Sequence, residues 1–419
     1  MYKFKEVSKE EAGAFAKQNG IFSQTENWAA FRTLFKTSSF LGLDDMGNTV
    51  LSCIMFRLPV YCTPWSIGYV TRGFVCDFTN ECLVREFTEY LKAFMKKKHV
   101  IYTVIDPWCD YKIDFENATQ VREMLENLGY LHNARYTMQP FTNYRLHIDN
   151  TNDIHSERKR LFENFAVKLK NDIQISHDRG VIVERSTSEN LEACVEIFYN
   201  LLLETDAKKG FGHRDLGYYK KFAKSLAEYV TIYLYRYDSQ KDIAYTRKVI
   251  TEVEEQIRRY DDEIANPETT DKKRERLAPK RKEAIKQLEA TKKRLQVSLN
   301  LTNNPYISAF FFIKMGDKSY AFYGANAKTL RDLRLTANYW DMIYDSVDGQ
   351  VTTFNMGGTL KMDSEQLKKD SMYDLYLYKK QYGGEFVELP GEFYLINDRK
   401  KYELFHTKLN YFRRIVFRF

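Results

Sequence analysis

Six cysteines and seven histidines carry the most versatile side chains in this sequence of 419 residues. Cys53, Cys62, Cys76, Cys82, Cys109 and Cys194 form no C-x-x-C pair, and no histidine stands at a metal-ligand spacing from them. Zinc sites of the common kinds need such spacing, so the cysteines read as buried thiols and no metal is expected. The sequence also contains no P-loop, H-E-x-x-H, G-x-S-x-G or G-x-G-x-x-G, which removes the usual ATP, zinc-protease, serine-hydrolase and dinucleotide chemistries. What remains is charge. The formal charge is +7, and between Lys272 and Arg294 eleven Lys/Arg face three Glu, a local balance of +8. One short segment therefore accounts for the whole basic excess, and it reads as a nucleic-acid or anionic-surface arm.

The elements that must position any site are a mixture of strands and helices. Val50–Phe56, Tyr69–Val75 and Val100–Ile105 have the apolar runs of strands, whereas Glu81–Lys96 and Glu116–Leu128 have helical periodicity, the latter closed by Gly129. From about residue 180 a similar order returns. It comprises strand Gly180–Arg185, helix Glu189–Glu204, strand Tyr229–Tyr237, hairpin Tyr306–Phe312 with Ser319–Gly324, helix Thr336–Val347 and strand Val351–Asn355. Two similar α/β units in tandem are expected. Between the strands of this second unit lies 242–299, which has a different character. Ile243, Ile250, Ile257 and Ile264 recur every seven residues with Val253 and Tyr260 at the offset of three, which is a heptad seam. Asn266-Pro267 breaks it, and Ala284, Leu288, Thr291 and Leu295 continue the pattern on a second arm. The segment is expected to fold back as an antiparallel helical hairpin, with Pro279 delaying or kinking the second helix.

A set of short motifs then stands out. Phe22-Ser23-Gln24 with Trp28 and Arg32, Asp106-Pro107, Gln139-Pro140, Arg214 with Tyr218, Tyr323-Gly324-Ala325-Asn326, Phe354-Asn355-Met356-Gly357-Gly358, and Tyr378-Lys379 with Tyr382-Gly383 together resemble the Fem family. These are the aminoacyl-tRNA-dependent transferases that build peptidoglycan cross-bridges. The resemblance spans nearly the whole chain. It implies two tandem acetyltransferase-like domains, 1–150 (completed by 396–419) and 151–395, with 242–299 as a helical arm inserted in the second.

Residue by residue, the resemblance implies the following. Arg32 stands where the family has a lysine, and Arg214 and Tyr218 match its precursor-binding arginine and tyrosine; a guanidinium holds a diphosphate in a bidentate fork. Lys379 matches the lysine placed near the aminoacyl ester, where an ammonium stabilises a developing oxyanion. Asp106 matches a carboxylate able to take the proton that an attacking amine must lose, since a lysine amine near pKa 10.4 is mostly protonated at neutral pH. Tyr102 and Tyr323 are expected along the peptide channel. Asn355 and Tyr378 depart from the family's frequent aspartate and phenylalanine, and Asn171-Asp172 stand where basic residues are frequent.

The implied activity is transfer of an amino acid from aminoacyl-tRNA to an amine of a peptidoglycan precursor stem peptide, lipid-linked or UDP-linked. The ester is already activated, so no cofactor is needed. Lys280, Arg281, Lys282 and Lys286 are expected to meet the tRNA. No apolar run approaches a membrane span, the longest being Tyr306–Ile313, and MYKFKEVSKEEAG has no apolar signal core. A cytoplasmic protein that touches the inner membrane face only peripherally is expected. Two rival readings are an acyl-CoA N-acyltransferase of related fold and a non-catalytic tRNA- or partner-binding protein. The first is opposed by Ala207–Gly212, which lacks the first residue of a CoA-binding loop.

Overall fold

The computed structural model describes residues 2–109, 115–133, 138–140, 142–209, 212–301, 303–333, 335–336, 339–359, 368 and 373–416. Its strands are β1 (Lys3–Val7), β2 (Lys36–Leu43), β3 (Thr49–Pro59), β4 (Ser66–Val70), β5 (Val75–Cys76), β6 (Val100–Ile105), β7 (Tyr130–Asn133), β8 (Thr142–His147), β9 (Val181–Arg185), β10 (Val230–Tyr237), β11 (Tyr306–Met315), β12 (Lys318–Asn326), β13 (Thr353–Gly358), β14 (Glu385–Glu388) and β15 (Glu392–Ile396). They form two sheets. The first runs β1-β2-β3-β4-β6-β15-β7 with β5 beside β3, and the second runs β14-β8-β13-β12-β11-β10-β9.

The two sheets share one plan. Each is antiparallel except for a single parallel pair, β4 with β6 and β12 with β13. Each also accepts one strand from the other half of the chain, in the same place. β15 enters between β6 and β7, pairing Phe393 with Ile105 and with His132. β8 enters between β13 and β14, pairing Arg145 with Asn355 and with Glu385. The boundaries expected at residues 150 and 395 therefore do not coincide with the sheets: the chain changes sheet between Asn133 and Thr142, and changes back between Glu388 and Glu392.

Local sequence explains most elements. Ser8 and Glu11 close a reciprocal capping box at the start of helix Lys9–Gln18. Leu83, Val84, Phe87, Leu91, Phe94 and Met95 form the buried stripe of helix Glu81–Lys97. All six residues of β6 are buried, as a central strand covered on both faces requires. The expected strand Tyr69–Val75 is instead two, β4 and β5, because Arg72 takes φ 52 and turns the chain. The expected helix Thr336–Val347 is shorter, Trp340–Ser346.

One apolar core joins the two halves. Phe22, Trp28, Phe31 and Phe56 of the first half pack with Phe198, Phe222, Phe311 and Ile313 of the second. The C-terminal segment returns to the first sheet, where Tyr402, Phe405 and Phe412 pack with Leu58, Tyr69, Ile101 and Tyr102.

Helices Ser239–Ala265 and Asp271–Leu299 form the hairpin between β10 and β11. The second runs unbroken through Pro279. Leu277, Ala284, Thr291 and Ser298 are its buried seam, seven residues apart, against Thr246 and Val253. Arg281 pairs with Asp261, Lys273 with Glu263 at 3.0 Å and Lys292 with Glu254 at 2.8 Å, which sets the arms antiparallel. At its base, buried Asp242 receives Arg179 in a two-pronged pair at 2.6 and 3.0 Å, along with the hydroxyls of Tyr237 and Ser298. Arg179 also donates to Leu333 O at 2.8 Å, which fixes the arm to the second half.

Of the cysteines, Cys53, Cys109 and Cys194 are buried, whereas Cys62 and Cys82 are exposed, and none is in a disulfide. Among the described residues no group of three His, Cys, Asp or Glu is placed to hold a metal, and no helix is long and apolar enough to cross a membrane.

Candidate active site

Gln24 shows how the first motif builds one wall. Its amide donates to Thr71 O at 2.9 Å and Ile54 O at 3.2 Å and accepts Ile54 N–H at 2.8 Å, so it clamps the Phe22–Gln24 turn onto β3 and the turn after β4. Thr25 then caps helix Glu26–Phe31, accepting Trp28 N–H at 3.3 Å. Trp28 wedges between Phe22, Phe31 and Phe222. Arg32 follows directly as the C-cap of that helix, delivered to the seam between the halves.

A cavity of about 350 Å3 lies at this seam. The first half contributes Phe22, Trp28, Arg32, Tyr69, Arg72 and Trp108, and the second contributes Arg214, Tyr218, Tyr320, Tyr323, Asn355 and Gly358. Gln139 and Pro140, in the passage from β7 to β8, close one side. The structure thus brings together Arg32, Arg214, Tyr218 and Tyr323 among the expected residues. Asp215 caps helix Leu216–Ser225 by accepting Tyr218 N–H at 2.7 Å, and the Tyr218 and Tyr323 hydroxyls meet at 3.2 Å. The Arg214 guanidinium lies 5.6 Å from the Tyr218 ring centre. Burial depresses the Arg32 pKa, the Arg214 charge adds to this, and the phenols of Tyr218, Tyr69 and Tyr323 oppose it. Two guanidinium groups share one cavity, an arrangement that an anion between them relieves.

The wall is rich in donors. The indole N–H groups of Trp28 and Trp108 and the Asn355 side-chain N–H2 have no hydrogen-bond partner among the described residues. A buried donor left unmet costs about 1–3 kcal/mol, a cost these three groups carry behind the cavity surface.

Asp106 and Lys379 both sit one layer behind the surface of the cavity. Asp106 is 3% exposed, accepts Arg72 N–H at 2.6 Å and receives the Tyr69 hydroxyl at 3.1 Å. Burial raises its pKa to about 7, against the lowering effect of the Arg72 charge and hydrogen bond. Lys379, 2% exposed on helix Tyr373–Lys380, donates to Gly358 O at 2.6 Å and Gly357 O at 3.2 Å. Burial lowers its pKa to about 7. The turn that receives it is set by Asn355, whose Oδ1 accepts Gly357 N–H at 2.6 Å, while Gly357 takes φ 77, a conformation that favours glycine.

Tyr102 is not on the cavity. It is fully buried in β6, its ring packed on Tyr394, Tyr402 and His406, because a strand covered on both faces leaves neither set of side chains open. Of the hairpin residues, Lys280, Lys282 and Lys286 are exposed, whereas Arg281 is engaged with Asp261.

Arg72 and Trp108 are site residues without a sequence expectation. Arg72 donates to Pro140 O at 2.8 Å and stacks 5.3 Å from the Trp108 ring centre. Its φ of 52, unusual for a residue with a Cβ, marks a backbone held in place by its surroundings. Trp108 directly follows Asp106-Pro107, which was the available signal.

The class defined by this fold and site is a two-sheet α/β protein with a cavity, lined by Arg32 and Arg214, at the seam of its halves. The chain belongs to the FemAB family, whose model matches residues 7–408. It is 25% identical over 414 residues to the lipid II:glycine glycyltransferase of Staphylococcus aureus, covering 95% of this chain and 94% of that one. The crystal structure of FemX shares the fold with a TM-score of 0.69 and 23% identity, covering 96% of this chain and 99% of that chain.

Proposed function

We propose that this protein transfers an amino acid from aminoacyl-tRNA to an amine on the stem peptide of a peptidoglycan precursor, extending a cross-bridge. The observation that carries this reading is the convergence of Arg32, Arg214, Tyr218, Tyr323 and the glycine turn that receives Lys379 on one seam cavity. Family membership and the precursor named for the staphylococcal relative support it.

Arg32 and Arg214 hold the diphosphate, the strongest anion such a precursor offers. Its stem peptide runs toward Asn355 and Gly358. The amine attacks the ester carbonyl, and the oxygen gains negative charge. Lys379 supplies stabilisation there from behind the wall: its ammonium donates to Gly357 O and Gly358 O, and its positive charge acts on the oxyanion across that one peptide unit. Asp106 accepts the proton shed by the amine, relayed through the Tyr69 hydroxyl that separates it from the cavity. Collapse of the adduct expels the ribose oxygen of the tRNA, which takes up the proton. No energy source beyond the ester is required. The protein acts in the cytoplasm, with the hairpin's exposed Lys280, Lys282 and Lys286 and the neighbouring Arg281 meeting the tRNA phosphates.

Incubation with lipid-linked precursor and a mixed pool of charged tRNAs, followed by mass spectrometry, tests the proposal. A gain of one or more aminoacyl masses is expected. A precursor of unchanged mass, or one modified only when acyl-CoA is supplied, overturns it.

A further inference from the structure

Between Asn355 and Gly358 the ladder that joins β13 to β8 shifts register. Arg145 stands opposite Asn355 and Asn143 opposite Gly358, so three steps along β13 are matched by two along β8. The extra residue makes a bulge, a device that bends a strand and re-aims its groups. At this bulge the carbonyls of Gly357 and Gly358 both accept the Lys379 ammonium, at 3.2 and 2.6 Å. Close packing holds it from the other side, where a Cβ on Gly358 would come within 2.6 Å of the Pro140 ring.

Asn355 fixes the bulge from within. Its Oδ1 accepts Gly357 N–H at 2.6 Å, whereas its buried Nδ2 has no hydrogen-bond partner among the described residues. Gly357 is thus held by Asn355 through its N–H and by Lys379 through its carbonyl, so one residue separates the amide from a buried ammonium. The turn uses the amide oxygen alone. An aspartate would supply that oxygen equally well and would leave no unmet donor. What the amide offers, and a carboxylate does not, is the absence of charge.

Nothing else nearby balances the ammonium. Arg145 of β8 lies 3.7 Å from Glu385 of β14, Tyr378 and Tyr382 are phenols kept neutral by burial, and Asp374 and Lys380 are exposed on the helix that carries Lys379.

We infer that Asn355 is a positioning residue for the proposed transfer, and that its neutrality leaves the Lys379 charge uncompensated so that its full field reaches the oxyanion. This rests on the reading above, in which Lys379 stabilises the oxyanion from behind Gly358. An ammonium without a counter-charge also releases its proton early, and burial places Lys379 at about 7. A carboxylate at position 355 would hold that proton to higher pH and cancel part of the field.

The test titrates Lys379 directly. Wild-type and Asn355→Asp proteins, with lysine labelled with carbon-13 at Cε, are followed by NMR as pH rises, and Lys379→Arg identifies the signal by its loss. Asn355→Asp should keep the Lys379 proton ~1 pH unit or more beyond the wild type, the scale of an opposite charge at close range. In transfer assays its alkaline limb should move up equally, while plateau kcat falls ~10-fold and precursor KM stays within about twofold. Asn355→Ala should lower kcat to a similar degree, because the bulge loses its internal hydrogen bond, without raising the Lys379 pKa. That contrast separates charge from shape. Circular dichroism confirms folding, and Asn355→Asp preserves both size and the acceptor oxygen. A Lys379 titration that Asn355→Asp leaves in place, as when the new carboxylate turns to Arg145, overturns the inference while leaving the proposed transferase intact. So does wild-type plateau kcat in either variant. A wild-type protein that transfers nothing from charged tRNA overturns both.

Discussion

Lys379 donates its ammonium to Gly358 O at 2.6 Å, and Gly358 is itself part of the cavity wall. A buried cation is therefore separated from the substrate space by one peptide unit, with no carboxylate paired to it among the described residues. Asp106 mirrors it behind Arg72 and Tyr69. Burial drives the two groups toward each other on the pH scale, the carboxyl up to about 7 and the ammonium down to about 7.

A narrow bell-shaped pH dependence of kcat/KM, centred near neutrality, follows from that pair. Activity needs Asp106 ionised, which fails as pH falls below about 7, and Lys379 protonated, which fails as pH rises above about 7. Asp106→Asn should lower the rate and flatten the acid limb, whereas Lys379→Arg should carry the alkaline limb upward. Stability gives an independent check of sign. The raised carboxyl pKa means the fold prefers protonated Asp106, so its burden is absent below the ordinary carboxylate range and grows as pH climbs to about 7. Asp106→Asn should therefore raise the melting temperature more at pH 8 than at pH 4. An equal effect at both would contradict the assignment.

Precursor affinity should depend on Arg32 and Arg214 separately. Alanine at either position is expected to weaken binding by about 1.5–3 kcal/mol, the scale of a hydrogen bond to a charged group. Lysine at Arg32 should recover part of the loss, because the charge returns without the two-pronged geometry. Isothermal titration with unaltered affinity in both alanine variants would remove the diphosphate from this site.

The hairpin should contribute tRNA affinity rather than chemistry. Each phosphate neutralised adds a log-log salt slope of about −0.7 to −0.9, so replacing Lys280, Lys282 and Lys286 by glutamine should flatten the slope by about two units or more. Arg281→Gln should do less, since its guanidinium is engaged with Asp261. Turnover at saturating charged tRNA should hold. An unchanged salt slope in the triple variant would instead assign the arm to a protein or membrane contact.

Local signals in the sequence were enough for the hairpin, with its seven-residue repeat, and for β6 and helix Glu81–Lys97, whose apolar patterns are continuous. The strand exchange was not legible. β15 and its partner Ile105 are nearly 300 residues apart, and nothing within either strand marks the other. The same cause hid Arg72, whose meaning depends on Pro140 and on a backbone turn inside an apolar run that reads as one strand. Tyr102 lies off the cavity for a related reason: identity and alternation place it on a strand but do not say that Tyr402 and His406 will cover it. Arg32, Arg214 and Tyr323 lie far apart in sequence, and only the ordered set of motifs implied that they belong together.

Single-turnover transfer from labelled aminoacyl-tRNA to the lipid-linked precursor, measured by rapid quench for the wild-type protein and Lys379→Met, tests the central claim most directly. The wild type should pass label to the stem peptide without acyl-CoA. The variant should bind both substrates normally and transfer on the order of 100-fold more slowly, by analogy with the loss of one oxyanion-stabilising group. Label that stays on the tRNA with the wild type, or transfer at the same rate by both proteins, would contradict it.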